Sequence, residues 1–272
     1  MADPERREAA SSLARVRAAI EPLATLSTAT LEEPLDGSFD LAVVLGGDGT
    51  ILAQGRRFLP LGIPIAGVNI GRLGFLAEFD AQSFELHAKA ILSTSPHIRE
   101  RITLEAAIHR NGEVIAAGQT AINDCVITAG EPFRMIEMCV NFDSAPGPNL
   151  SGDGLIIATP TGSTAYNVSA GGPIVHPDGE GLVLTPIAAH SLAFRPVITS
   201  PNTQLSIQVI RANPGTMLVL DGQQTWSIQE GDRIDVSRGV HRLKMVSDPS
   251  RTFWQTAAEK MRWASGPSYR DR

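Results

Sequence analysis

The stretch Leu41–Thr50, LAVVLGGDGT, runs from a short β-type apolar segment into a cluster of glycines. A helical pattern follows, with apolar residues at Ile51, Leu52, Phe58 and Leu59, and then a second apolar run, Ile63–Val68. Strand, helix, strand implies a parallel pair joined by a right-handed crossover. The second run opens into Asn69-Ile70-Gly71-Arg72-Leu73-Gly74-Phe75-Leu76, again rich in glycine. Ligands of open α/β sheets sit beyond the carboxyl ends of the strands, so both turns are expected to border one crevice. A strand, a glycine turn and a helix N-terminus together offer backbone N–H groups to an anion. Neither G-x-x-x-x-G-K-[ST] nor G-x-G-x-x-G occurs at this turn. What distinguishes it is a carboxylate, Asp48, set between Gly47 and Gly49.

A second segment, Gly152–Val175, GDGLIIATPTGSTAYNVSAGGPIV, carries the other strong signal. The apolar run Leu155–Ala158 empties into Thr159, Thr161, Ser163, Thr164, Tyr166 and Ser169, with Gly162, Gly171 and Gly172 among them. Hydroxyls both donate and accept, which suits ribose and phosphate oxygens. Glycines allow close backbone approach. The expectation is a site that wraps a polyhydroxylated, phosphorylated ligand. Gly171-Gly172-Pro173 reads equally well as a structural turn.

The rest of the chain sets bounds. At 272 residues it can form one large or two modest domains, and 43% hydrophobic residues are enough for a core. A net charge of −6 argues against nucleic acid or an anionic membrane as the main partner. Cys125 and Cys139 have no metal-type spacing and read as reduced structural thiols. His176, His190 and His241 stand alone, without a metal-ligand pattern. The charged, Ala-rich opening lacks a signal-peptide core, and no run reaches the roughly 18 apolar residues of a membrane span. A cytoplasmic location is expected.

Residues from about 5 to 27 read as a helix, with Leu13, Val16, Ile20 and Leu23 on its apolar face, and Phe84–Leu92 as another. After Pro96 short β-type runs dominate. Two of them flank Asn111-Gly112, a hairpin signal. The others are Met135–Val140, Leu155–Ala158, Val197–Thr199, Leu205–Ile210, Met217–Leu220, Arg233–Val236 and Leu243–Val246, all assigned to an all-β half. Helical spacing returns at Phe253–Trp263. The expected fold is a Rossmann-like α/β domain followed by a β-sandwich-like domain, with a C-terminal helix returning to the first. The expected boundaries are 1–97 plus 250–272 for the α/β domain and 98–249 for the β-rich one.

LGGDGT, GVNIGRLGFLAEF, AINDCVI, GDGLIIATPTGSTAY, SAGGPI and HSLAFRP stand in the order found in NAD kinases, and the chain resembles that family from about Leu41 to Trp263. GGDGT alone also occurs in phosphofructokinases and lipid kinases; TPTGSTAY following GDG is far more specific. The resemblance implies transfer of the γ-phosphoryl group of ATP, or of polyphosphate, to the 2′-hydroxyl of the adenosine ribose of NAD, giving NADP. It implies Mg²⁺ or Mn²⁺, with no residue assigned as a metal ligand, and NAD bound between the two domains of a homodimer or homotetramer. By the same resemblance Asp48 is the proton acceptor; the amides of Gly47 and Gly49 beside it suit the phosphates by the layout of the turn. Asn123 and Asp124 hold the nucleoside portion, and Asp153 is a further dinucleotide contact. Thr164, Ala165, Tyr166 and Ser169 line the pocket, with Tyr166 against a base. Ala188 and Gln223 lie where further contacts are expected, Ala188 towards NAD on a neighbouring subunit; Arg72 and Phe75, in the second glycine-rich run, are read from the sequence as further contacts to NAD. The sequence departs from the family pattern in lacking an opening KIAIV-like strand, in Ser151 before GDG, and in Ala189 before His190.

The chemistry suits these residues. Phosphoryl transfer asks mainly for positioning and charge stabilisation. A ribose hydroxyl is a poor acid, so an adjacent carboxylate that takes its proton is useful. Asp48 fits that role, or that of a ligand to Mg²⁺, or of an N-cap. Asp124 and Asp153 can clamp ribose hydroxyls without reacting. Asn123-Asp124 could instead form an Asx-type turn, Tyr166 could pack in a core, and Phe75 could lie in a domain interface. A lipid or sugar kinase, resting on GGDGT alone, and a catalytically silent NADP(H) sensor are the competing readings.

Overall fold

The computed structural model describes residues 4–33, 37–71, 74–132, 134–190 and 194–263. In chain order, the first elements are α1 (Pro4–Ile20), β1 (Ala42–Leu45), α2 (Asp48–Phe58), β2 (Ile65–Asn69), β3 (Phe79–Asp80), α3 (Ala81–Ile91) and β4 (Ile98–Arg101). Next come β5 (Leu104–Arg110), β6 (Glu113–Ala121), β7 (Asp124–Thr128), β8 (Ile136–Phe142), β9 (Asn149–Gly152) and β10 (Gly154–Ala158). A 3₁₀ turn at Thr161–Thr164 and the single-turn α4 (Tyr166–Ser169) follow. The chain then forms β11 (Val183–Ile187), β12 (Val197–Ile198), β13 (Leu205–Arg211), β14 (Met217–Leu220), β15 (Gln224–Ser227), β16 (Arg233–Arg238), β17 (Leu243–Val246) and α5 (Phe253–Lys260). These fall into two compact units, one within Met1–Ile51, Ile63–Arg99 and Met245–Arg272, the other within Leu52–Gly62 and Glu100–Lys244.

The first unit is α/β and holds both strands of the strand–helix–strand pattern, whereas Leu52–Gly62, which includes most of α2, groups with the second unit and not with the α/β domain as expected. β1 and β2 pair in parallel, Leu45 opposite Val68, within a five-stranded sheet. β2 is buried at every position, which is why it reads as a continuous apolar run and not as an alternating one. Val16 and Ile20 of α1 and Phe84 and Ile91 of α3 pack with Ala66, Val68 and Phe79 of the sheet. Phe79 and Phe84 meet edge to face, centroids 6.1 Å apart. Asp80 and Ser83 form a reciprocal capping box that starts α3. α1 is shorter than its spacing predicts. It ends at Ile20, just before Glu21-Pro22, where proline disfavours helical geometry in the preceding residue, and Leu13 and Leu23 are exposed. Leu243–Val246 also departs from expectation. It leaves the all-β half and pairs in parallel with β2, Met245 opposite Ile65. The C-terminal helix, α5, belongs to this unit and opens on a second capping box, Thr252 with Gln255.

The second unit is a β-sandwich. Its two six-stranded sheets run β12-β11-β10-β7-β14-β15 and β6-β5-β16-β13-β8-β9. The inward residues of both, among them Ile108, Ile127, Ile157, Ile207, Leu218 and Ile234, form one core. Asn111-Gly112 makes the predicted two-residue turn, with Arg110 opposite Glu113 and both turn residues at positive φ. β10 is buried on both faces. Leu155 and Ile157 face the sandwich core, while Ile156 and Ala158 join Val126 and Val183 beneath Ala170 and Val175 of the hydroxyl-rich segment.

Candidate active site

In the first unit, Gly47 accepts the first helical hydrogen bonds, from Thr50 at 2.9 Å and Ile51 at 3.1 Å, so the glycine and not Asp48 caps α2. This frees the Asp48 side chain, which turns to the second glycine-rich segment. Its carboxylate accepts the N–H groups of Phe75 at 2.9 Å, Leu76 at 3.2 Å and Ala77 at 3.4 Å. The close approach requires glycine at 74, where a Cβ would stand 1.9 Å from Asp48 Oδ1. The two turns therefore meet, as the parallel strands predict, and Asp48 joins them. Gly47 has open space on its Cβ side, room for a ligand at the helix start. Asn69, one residue beyond Val68 and so alongside Gly46, is 4% exposed and its Nδ2 has no hydrogen-bond partner. Arg72 lies outside the described residues, as does Ser191-Leu192-Ala193 of the HSLAFRP motif.

In the second unit an open cleft of about 380 Å³ runs along β7 and β14. Asn123, Asp124, Ala165 and Tyr166 line it, four of the residues singled out from sequence, together with Val126, Thr128, Val219, Asp221 and Gly222. Tyr166 is 46% exposed, so it is not a core residue and its ring is available to a ligand. Asp124 is buried beside Asp221. Burial first, then the neighbouring carboxylate, pushes its carboxyl up to about 7. Asn123 Oδ1 is buried without a partner. Such a corner, one desolvated carboxyl and one unsatisfied amide oxygen on an open cleft, is equipped to receive hydroxyl donors.

The other predicted residues are placed differently. Asp153 and Ala188 are exposed and sit together at the far end of β10 and β11, where Asp153 donates its N–H to Ile187 O at 2.9 Å. Asp124 pairs with Ala158 and Thr128 with Gly154, so this end lies on the order of 14 Å along the strands from Asp124. Ala188 has φ 46°. Thr164 and Ser169 border the segment but do not line the cleft, and Gln223 is bound by Arg56.

The hydroxyl-rich segment also requires a correction. Most of its polar groups serve the fold. Thr159 Oγ1 donates to Ile122 O at 2.7 Å and accepts from Gly162 N at 3.0 Å. Ser163 Oγ lies 2.7 Å from Pro160 O and accepts from Val175 N at 3.0 Å. Asn167 ties Ser163 and Pro173 to Thr185. Gly162 presses on the Asn123 carbonyl, where a Cβ would come within 2.0 Å. The segment therefore builds the wall behind Asn123 and presents Ala165 and Tyr166 to the cleft, with Thr159 and Ser163 committed to the fold and Thr161 Oγ1 left without a partner.

Asp221 escaped sequence reasoning. Its carboxylate, fully buried, accepts N–H groups from Ile122, Asn123 and Asp124 and is paired with Arg56 at 2.5 Å. The Asp221-Gly222 dipeptide between two apolar runs was the available signal, and it reads as an ordinary turn. Among the described residues no three carboxylate, thiol or imidazole groups gather as a metal site, and no helix is long and apolar enough to cross a membrane.

Residues 5–95 match the ATP-NAD kinase N-terminal domain and residues 122–247 the ATP-NAD kinase C-terminal domain. An NAD kinase of Desulforamulus reducens is 38% identical over 85% of this chain and 81% of its own length. One from Carboxydothermus hydrogenoformans is 39% identical over 83% and 80%. Among solved structures, yeast NADH kinase complexed with NADH superposes with a TM-score of 0.75 at 30% identity, covering 85% of this chain and 68% of that one. An NAD kinase from Archaeoglobus fulgidus in complex with ATP gives 0.67 at 26% identity, covering 84% of each. With both domains matched in order and relatives this similar along most of their length, the chain belongs to the NAD kinase family.

Proposed function

We infer that the protein phosphorylates the 2′-hydroxyl of the adenosine ribose of NAD, with ATP or polyphosphate as donor, to give NADP. The observation that carries this reading is the Asn123–Asp124 corner, a buried amide oxygen without a hydrogen-bond partner next to a desolvated carboxyl, opening on a cleft beside Tyr166. Ribose hydroxyls supply the missing donors, and the ring supplies a face for a base. The β-rich domain is thus the NAD-binding one, with Asp153, Thr164, Ala165, Ser169, Ala188 and Gln223 as further contacts. Phe75, Arg72, Gly47 and Gly49 serve on the α/β side.

Asp48 is the proton acceptor. A carboxylate offers about four lone-pair sites, and three backbone N–H groups leave about one for the attacking hydroxyl. The ribose oxygen forms the new bond to the γ-phosphorus, the bond to the leaving diphosphate breaks, and the hydroxyl proton passes to Asp48. Mg²⁺ or Mn²⁺ supplies charge neutralisation on the transferring phosphates. Such a cation would be held by the triphosphate oxygens, with the Asp48 carboxylate as the hard oxygen ligand nearest the glycine turn. A cytoplasmic homodimer or homotetramer is assigned on the family resemblance alone.

The test is NADP formation from NAD with ATP and Mg²⁺, for wild type and Asp48→Ala. The variant should lose about 10²–10⁴-fold in kcat while calorimetry still detects NAD binding. Folded wild type that makes no NADP with either donor overturns the activity. A fully active variant overturns the role of Asp48.

A further inference from the structure

We propose that Arg56 and Asp221 are positioning residues for the NAD site, a two-residue clamp that sets the Asn123–Asp124 corner and Gln223 in register without touching the ligand through Arg56 itself. The proposal rests on the NAD kinase reading of the cleft; it adds Arg56, which neither the motifs nor the cleft's lining assigns to the site, and gives a positioning role to Asp221, which lines it.

The geometry is specific. Asp221 is a fully buried carboxylate, and it accepts from three consecutive backbone N–H groups: Ile122 at 3.0 and 3.1 Å, Asn123 at 2.7 Å and Asp124 at 3.2 Å. Its own N–H returns to Asp124 O at 2.9 Å. The backbone that carries both nucleoside-binding side chains is therefore hung on one carboxylate. A buried anion is tolerated only with compensation. Arg56 provides it, with Nη1 at 2.5 Å from Asp221 Oδ2 and its own side chain only 13% exposed. The other arm of the same guanidinium, Nη2, holds Gln223 Oε1. One planar fork thus holds both Asp221, which lines the cleft, and Gln223, which follows the lining residue Gly222, a task a lysine ammonium cannot share in the same geometry.

This arrangement exceeds what folding the turn requires. The β14–β15 turn is closed by Gln223 N to Leu220 O at 2.9 Å, and β7 is paired on both sides by β10 and β14. The clamp adds the orientation of residues at the cleft's edge. Its loss should therefore appear first in NAD affinity.

Arg56→Lys keeps the charge and loses the fork. It should raise KM and Kd for NAD about tenfold, leaving KM for ATP and kcat within about twofold of wild type. Arg56→Met leaves Asp221 uncompensated and risks misfolding. The paired variant Arg56→Met/Asp221→Asn removes both charges together and should fold, with NAD affinity lowered further than in Arg56→Lys. A purely structural role predicts the opposite split, with a lower melting temperature and active fraction but unchanged KM and Kd for NAD. NAD affinity equal to wild type in both folded variants overturns the proposal while leaving the kinase reading intact. Wild type that binds NAD but makes no NADP overturns the kinase reading, and the Kd values of the variants still decide the clamp. Wild type that does not bind NAD overturns both.

Discussion

Asp124→Asn should remove a pH dependence that works against the usual direction for a carboxylate. Asp124 is 5% exposed, and burial together with Asp221 pushes its carboxyl from an ordinary 3.8 up to about 7. In the unfolded chain it ionises near the ordinary value. Between these two points the folded protein holds a proton that the unfolded chain has released. Unfolding free energy must then fall as pH rises, by about 1.4 kcal/mol per pH unit, and level off above about 7. The whole window amounts to about 4 kcal/mol, and the part from pH 5 to 8 to about 3 kcal/mol. Asparagine keeps the shape and has no proton to lose. Urea unfolding of ligand-free wild type and Asp124→Asn, in parallel at pH 5, 6, 7 and 8, isolates the residue because other titrations are common to both. The variant should gain on wild type as pH rises, mostly below pH 7. Parallel stability curves, or a variant that gains as pH falls, would refute the desolvation argument. Under the proposed function the anion that costs stability is the one that would accept ribose hydroxyls, a trade of stability for binding at this position.

Gly74→Ala drives a methyl group to 1.9 Å from Asp48 Oδ1 and must push the carboxylate off the N–H groups of residues 75–77. The expected loss is at least tenfold in kcat and about 1–3 kcal/mol in stability, read by NADP formation and thermal unfolding; wild-type kcat would show that the anchoring is idle. Chelation with EDTA should abolish turnover, restored by Mg²⁺ or Mn²⁺, with no change in the circular dichroism spectrum, because no three-ligand protein cage exists among the described residues to be emptied. Chelator-resistant turnover would remove the cation from the mechanism.

Local physics made much of the fold readable. The paired apolar runs at Leu41 and Ile63 became parallel β1 and β2, and Asn111-Gly112 became a two-residue hairpin turn. Both signals are written within a few residues. Leu243–Val246 was misplaced for the complementary reason. Four apolar residues mark a strand but carry no record of which sheet receives it, and its partner, β2, lies far away in sequence. Helical spacing continues past Pro22, yet α1 ends at Ile20, because a proline disfavours helical geometry in the residue before it and spacing alone does not register that.

The site divides in the same way, and the division shows what a polar segment in a sequence measures. Asp48 stands out in the sequence as a carboxylate among glycines, and in the structure it is the side chain that joins the two glycine-rich turns. Asp221 and Arg56, 165 residues apart, do not stand out, since an ion pair across that span leaves no local pattern. The hydroxyls of residues 159–169 were conspicuous and were read as ligand contacts, yet Thr159 and Ser163 are occupied by backbone groups of a segment that folds back over a sheet face. Such a segment has no ladder to satisfy its own N–H and C=O groups, and side-chain hydroxyls supply the partners. Hydroxyl density here measures the irregular backbone that must be buried. The polar atoms left over after that demand is met, Asn123 Oδ1, Asn69 Nδ2 and Thr161 Oγ1, are the better guide to where a ligand completes the structure.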